Sequence, residues 1–221
     1  MKDLAGDPRT WWRENRRLLT KRALDLSAGA GALAITAPIL AAAALAIRAT
    51  MGSPVLFSQV RPGYKGRLFK IYKLRTMREP TMGEVWFRSD AARVTPLGDF
   101  LRRTSIDELP ELWNVLRGEM SLVGPRPLLV EYLEKYTPEE HRRHDTPPGI
   151  TGWAQVNGRQ DIPFSERLRL DVWYVANWSV ALDIRILLAT ITEVFKRSGV
   201  QVGQNVDDVD DLGLSSDRAR S

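Results

Sequence analysis

The chain has 221 residues, 43% hydrophobic and 27% charged, with a formal net charge of +5. That is enough apolar material for one domain core and too much charge for a polytopic membrane protein, and the basic excess suits anionic partners: nucleic acid, acidic lipid or a phosphorylated substrate. With no cysteine, disulfides and thiolate catalysis are excluded, and a reducing compartment is the natural setting.

Residues 1–20 carry Trp11 and Trp12 followed by Arg13, Arg16 and Arg17, the pattern of an interfacial segment lying on anionic lipid. Residues 21–50 hold the uncharged run Leu26 to Ile47. About 20 apolar residues suffice for a span, so length permits one. Both flanks are basic, however. Lys21 and Arg22 precede the run; Arg48, Arg61, Lys65, Arg67, Lys70, Lys73, Arg75 and Arg78 follow, with no acid before Glu79. Basic flanks stay cytoplasmic, which one straight helix cannot satisfy at both ends. Pro38 falls mid-run, where it removes a helical N–H and kinks the chain, and Thr36 is placed to bond a freed carbonyl. The favoured reading is a re-entrant helix-break-helix with Pro38 at the break. A single span, a cleaved leader ending near Ala44-Leu45-Ala46, and a buried soluble helix are the alternatives. Asp25 stands three residues after Arg22, the spacing of a helical salt bridge.

Val55–Val60 and Leu68–Lys73 read as two short strands of a hairpin around Arg61-Pro62-Gly63 and Gly66. Lys73 and Arg75, two apart, face one side if extended. Residues 78–93 read as a polar loop and Pro96 to Arg103 as a short helix after Thr95. The stretch 102–128, RRTSIDELPELWNVLRGEMSLVGPRPL, is the most informative in the chain. Leu109, Leu112, Trp113 and Leu116 recur at helical spacing, with Ser105 and Glu108 at capping-box distance. Asp107 and Glu108 then lie at the positive end of the helix dipole. Arg102 and Arg103 precede them and Arg126 follows in a Gly-Pro-Arg-Pro turn. Paired acids among arginines suit a metal ion and a phosphate ester.

Further on, residues 147–153 are rigid and turn-rich, and Asn157-Gly158 is a turn signal. Ser165 to Arg197 reads as one or two amphipathic helices, with Trp173, Tyr174, Trp178, Leu182 and Ile186 on a face that packs on the core. Residues 203–221 read as an acidic disordered tail. His141 and His144 lack the companions of a zinc site, and neither a Walker loop nor a dinucleotide-binding glycine pattern is present.

Taken in order, these blocks resemble the bacterial sugar transferase family, the monotopic phosphoglycosyl transferases. The matching blocks are Lys21-Arg22 with Asp25, the Pro38-broken segment, Phe57-x-Gln59-x-Arg61-x-Gly63 and Lys73-x-Arg75-Thr76-Met77. They continue through Arg103 to Pro127, then Pro148 to Trp153 with Gln155, Asn157 and Gly158, and Asp171, Tyr174, Trp178, Ser179 and Asp183. Two departures are small: Ser53-Pro54 follows Gly52 where Ser-Gly-Pro is expected, and Ala37 precedes Pro38 where Ser is common.

The resemblance implies a mostly helical α+β fold: a re-entrant membrane hairpin at 21–50 and a cytoplasmic catalytic domain at 51–202 with a small β-hairpin and interfacial amphipathic helices. It implies the minimal form of the enzyme, on the cytoplasmic face of the bacterial inner membrane and in contact with membrane lipid. The implied substrates are a UDP-sugar and a polyprenyl phosphate, the implied cofactor is Mg²⁺, and a homodimer is compatible with it. Asp107 is implied as nucleophile toward the β-phosphate and as the magnesium ligand, with Glu108 as metal or proton partner and Arg126 as phosphate contact. Lys73, Arg75, Arg102 and Arg103 complete the expected phosphate-binding set. Among rival readings, a non-catalytic basic membrane-anchored binding protein leaves the Asp107–Glu108 pair unexplained, and a nucleic-acid module lacks any recognisable motif.

Overall fold

The computed structural model describes residues 9, 11–14, 18–79, 93–158, 162–196 and 210–212. The expected basic residues Arg16 and Arg17, most of the 78–93 loop and nearly all of the acidic tail lie outside these residues.

After a single turn of helix, α1 (Trp11–Glu14), comes α2 (Leu19–Met51), 33 residues long. At 1.5 Å per residue it extends about 50 Å. It is long and apolar enough to cross a membrane. Its helical assignment continues through Pro38, so the expected break is not a gap in the helix. Thr36 bonds the Ala32 carbonyl at 2.7 Å, one turn back along its own chain, rather than the carbonyl freed by Pro38. The buried residues of α2 sit at its two ends: Lys21, Asp25 and Gly29, then Ala43 and Ile47. The stretch between is open, with Ile35 78% exposed.

The first end is held by polar contacts. Arg22 donates to the Val115 and Leu116 carbonyls at 2.6 and 2.8 Å. Asp25 accepts from the Ser121 hydroxyl and Leu122 N–H, both at 2.9 Å. Each is thus turned to the protein, and these bonds stand where the spacing allowed either an Arg22–Asp25 bridge or a solvated charge. Lys21 reaches Asp183 at 2.6 Å, and Asp183 also accepts from Tyr174 and Trp178. Trp11 is fully buried and donates to the Gly118 carbonyl, so this tryptophan belongs to the core rather than to a lipid surface.

The second end packs Ala43 and Ile47 against Leu74 and Leu101. The hairpin forms as expected, but its first strand is shifted: β1 (Leu56–Pro62) takes in Arg61 and Pro62 of the expected turn and pairs antiparallel with β2 (Leu68–Leu74), Phe57 opposite Lys73. Helix α3 (Pro96–Arg103) begins where the sequence indicated, the Thr95 side chain accepting from Gly98 N–H. Helix α4 (Glu111–Arg117) packs Val115 on Phe69 and Ile71 of β2.

A second sheet was not foreseen. β3 (Ser121–Val123) and β4 (Gly149–Thr151) run parallel, one on each side of a long excursion, so neither shows in local pattern. Gly149 permits the approach: a Cβ there would lie 2.0 Å from the Gly124 nitrogen. The chain closes with α5 (Trp153–Gly158), α6 (Phe164–Asn177) and α7 (Val180–Lys196). Asn157 and Gly158 end a helix instead of forming a hairpin turn. Tyr174 and Ile186 are buried as expected. Trp173 is 41% exposed and stacks on Trp153. Of the tail, Asp211 is bonded to the backbone and hydroxyl of Ser165 at the start of α6.

Candidate active site

The acid pair sits on a turn rather than on the helix. Ile106–Glu108 is a single 3₁₀ turn, and α4 starts only at Glu111, with Pro110 before it. Pro110 therefore precedes the helix, where its missing N–H does no harm. Ser105 makes no capping bond; it adopts a left-handed backbone, φ 56°, which lifts the turn out of the path of α3. The apolar stripe is also displaced. Trp113 is 53% exposed, while Glu111, Leu112, Asn114 and Val115 face inward. A helix whose buried side carries an acid and an amide cannot be read from apolar periodicity.

Those two polar residues organise the site. Asn114 accepts from Tyr72 N–H and donates to the Lys70 carbonyl, tying α4 to the edge of β2. That contact sets Lys73 against the acids. Its Nζ lies 2.6 Å from Glu108 Oε1 and 3.1 Å from Glu111 Oε1. Arg126 pairs with the same Glu108 through both its Nη atoms. Arg126 is in turn held from behind: Arg143 donates to its carbonyl at 2.7 Å and is ion-paired with Asp171 on α6 at 2.7 Å. Arg102 bonds Thr76 at 2.9 Å, brought there because Gly98 lets α3 lie on residue 76; a Cβ at 98 would fall 1.9 Å from the Thr76 carbonyl oxygen.

Asp107 is different from its neighbours. It is 9% exposed. Among the described residues its carboxylate makes no hydrogen bond or ion pair. Burial, with the charge of Glu108 adding, pushes it up to about 6, against the pull of Lys73, Arg102 and Arg126. Glu108 goes the other way: burial opposes ionisation, but Arg126 and Lys73 outweigh it and hold the carboxyl well below the usual range. Glu108 is therefore a weak base, suited to anchoring two cations rather than carrying a proton. Glu111, 1% exposed, is pushed by burial up to about 7, with Lys73 opposing and Glu108 adding.

Two of the expected phosphate ligands lie elsewhere. Arg75 follows β2 and turns away from Lys73, donating to the carbonyls of Met51, Gly52 and Ser53. It caps the C-terminus of α2, where a cation meets the negative end of the helix dipole. Arg103 pairs with Asp99 at 2.7 Å on the surface. Conversely, Glu111, Asn114 and Arg143 were not singled out from the sequence. Only Glu111 had a local signal, lying three and four residues after the acid pair.

No group of three acidic, histidine or cysteine side chains able to hold a metal occurs among the described residues. A magnesium ion that takes one or two protein carboxylates and completes its octahedron with water and substrate phosphate needs no such group. Asp107 has the oxygens for it; those of Glu108 already face Lys73 and Arg126.

Comparison with known proteins shows the family. The family model described as "Bacterial sugar transferase" matches residues 16–197. An uncharacterized sugar transferase of Bacillus subtilis (strain 168) is 47% identical over 189 residues, covering 86% of this chain and 94% of that protein. The undecaprenyl-phosphate glucose phosphotransferase of Komagataeibacter xylinus is 44% identical over 203 residues, 82% of this chain and 37% of the relative. The UDP-glucose:undecaprenyl-phosphate glucose-1-phosphate transferase of Escherichia coli (strain K12) is 40% identical over 187 residues, 80% and 40% respectively. The chain thus spans under half the length of these last two relatives. Matched along most of its length, the chain belongs to the bacterial sugar transferase family.

Proposed function

We propose that the protein transfers a sugar-1-phosphate from a UDP-sugar to a polyprenyl phosphate, through a sugar-phosphoryl intermediate on Asp107. The observation that carries this reading is the contrast within the site: one buried carboxylate with no bonded partner, ringed by Lys73, Arg102 and Arg126. The names of the relatives, which specify undecaprenyl-phosphate glucose or galactose transfer, support the substrate class.

In the first step a carboxylate oxygen of Asp107 attacks the β-phosphorus. The bond from that phosphorus to the bridging oxygen breaks, and UMP leaves with the electron pair. Arg126 and Lys73 face the developing negative charge, with the guanidinium fork matched to phosphate oxygens. In the second step an oxygen of the lipid phosphate attacks the same phosphorus, and the Asp107 carboxylate leaves unchanged. Both nucleophiles are anions, so neither step needs a general base. Glu108 keeps Lys73 and Arg126 aimed, and Arg143 fixes the Arg126 backbone. Magnesium, held by Asp107 and substrate phosphate, would supply further neutralisation of phosphate charge.

The lipid substrate requires the site to stand at a membrane surface, on the cytoplasmic side in this reading. What supports a re-entrant course for α2 is that its two ends both pack on the same catalytic body, while its middle is open and carries Pro38.

Incubation with a panel of UDP-sugars, magnesium and polyprenyl phosphate tests the activity by UMP release. Mass spectrometry of protein held with donor alone tests the intermediate, expected as a phosphosugar on the peptide containing Asp107. Transfer in one step, with no adduct on a competent sample, would exclude the covalent route.

A further inference from the structure

Glu111 is a buried acid that the two-step scheme leaves without a role. Its Oε1 has no well-aligned hydrogen bond. The nearest cation is Lys73, 3.1 Å away, and that ammonium is shared with Glu108 at 2.6 Å. The charged groups that face Glu111 are Lys73 from β2, Glu108 from the preceding turn and Arg126 from the loop after β3. Arg126 is engaged with Glu108.

A diphosphate arriving beside Asp107 competes with Glu108 for both cations. Glu108 keeps some contact with solvent, its side chain 20% exposed, and can be hydrated when displaced. Glu111 at 1% has no such recourse. If Lys73 swings to the phosphate, Glu111 is left as a buried carboxylate with no cation, an arrangement proteins avoid by protonation.

We propose that Glu111 takes up a proton from solvent as the donor's diphosphate draws Lys73 away, so that Glu111 sets the charge balance of the occupied site. Resting on the transferase reading, this makes Glu111 a positioning residue: it parks Lys73 in the empty site and releases it at the cost of one proton bound. Because the free carboxyl sits near 7, the coupling is felt at neutral and alkaline pH. Above that point donor affinity falls with rising pH, since the proton must be taken from an ever more dilute source.

The test uses the full chain in detergent or nanodiscs, with Asp107→Asn as background to silence turnover and the titration of Asp107. UDP with magnesium is the probe, at pH 8.0, in two buffers of different ionisation enthalpy. The expected result is uptake of close to one proton per UDP bound, and a rise in Kd of up to tenfold between pH 7.5 and 8.5. Adding Glu111→Gln should abolish both while UDP still binds. Binding without uptake, or uptake that survives Glu111→Gln, would overturn the inference and leave the transferase reading standing. Failure of the unsubstituted protein to bind UDP with magnesium at all would overturn both.

Discussion

Asp183 and Asp107 are both nearly buried, at 6% and 9% exposure, yet the protein treats them in opposite ways. Asp183 accepts from Lys21, Tyr174 and Trp178, so both its oxygens are bonded. It ties the foot of α2 to α7. Asp107 has cations nearby and no bonded partner. A saturated buried carboxylate holds elements together; an unsaturated one is held ready for a partner the protein does not itself contain. The cluster around Glu108 lies between these limits, with two cations crowded on one acid and a third acid, Glu111, sharing one of them.

The largest effect should come from Asp107→Asn. Turnover should fall by at least about 10³-fold, since the proposed nucleophile is lost. Stability should move the other way. The raised value near 6 means that the folded state resists ionising this group. The penalty is absent below about pH 4, develops between 4 and 6, and is complete above 6. Denaturation at pH 8 should therefore show a gain of about 2–3 kcal/mol in the variant, vanishing near pH 4. Loss of stability at pH 8 would erase the contrast with Asp183.

Breaking the structural pair should do the reverse. Asp183→Ala should cost about 3–5 kcal/mol by stranding Lys21 in the interior. Activity per folded molecule should stay near normal; a selective loss of turnover would mean that the foot of α2 takes part in the chemistry. Arg126→Ala should reduce kcat/KM by more than tenfold, about 1.4 kcal/mol or more of transition-state stabilisation. Near-native kinetics would remove Arg126 from phosphate contact.

The pH profile sharpens the same point. The proposed nucleophile must be ionised to attack, so kcat/KM of the native enzyme should decline below about pH 6. A plateau extending to pH 4.5 would contradict the buried, unpaired state of Asp107. The smallest effect is expected at Arg103, whose exposed pairing with Asp99 resembles neither aspartate. Arg103→Ala should change stability by less than about 1 kcal/mol and leave turnover within twofold.

Much of the site was legible because its chemistry is packed into one short stretch. Asp107, Glu108 and Arg126 stand within twenty residues, and Lys73 lies on a strand whose alternation was plain. What misled was geometry. Extended spacing placed Arg75 beside Lys73, but β2 ends at Leu74 and Arg75 turns to the carbonyls at the end of α2. Apolar periodicity put Trp113 on the inner face of α4, which in fact buries Glu111 and Asn114.

Local propensity alone was sufficient for the apolar content of α2, though not for its continuity through Pro38, and for the hairpin and the Thr95-capped α3, since each is specified by composition, turn residues or caps within a few positions. The parallel β3–β4 pairing, the bonding of Lys21, Arg22 and Asp25 into the domain, and the division of buried acids into bonded and unbonded were settled only on folding. They depend on partners tens to more than a hundred residues away, and a carboxylate's state is decided by which dipoles and charges surround it rather than by its neighbours in the chain.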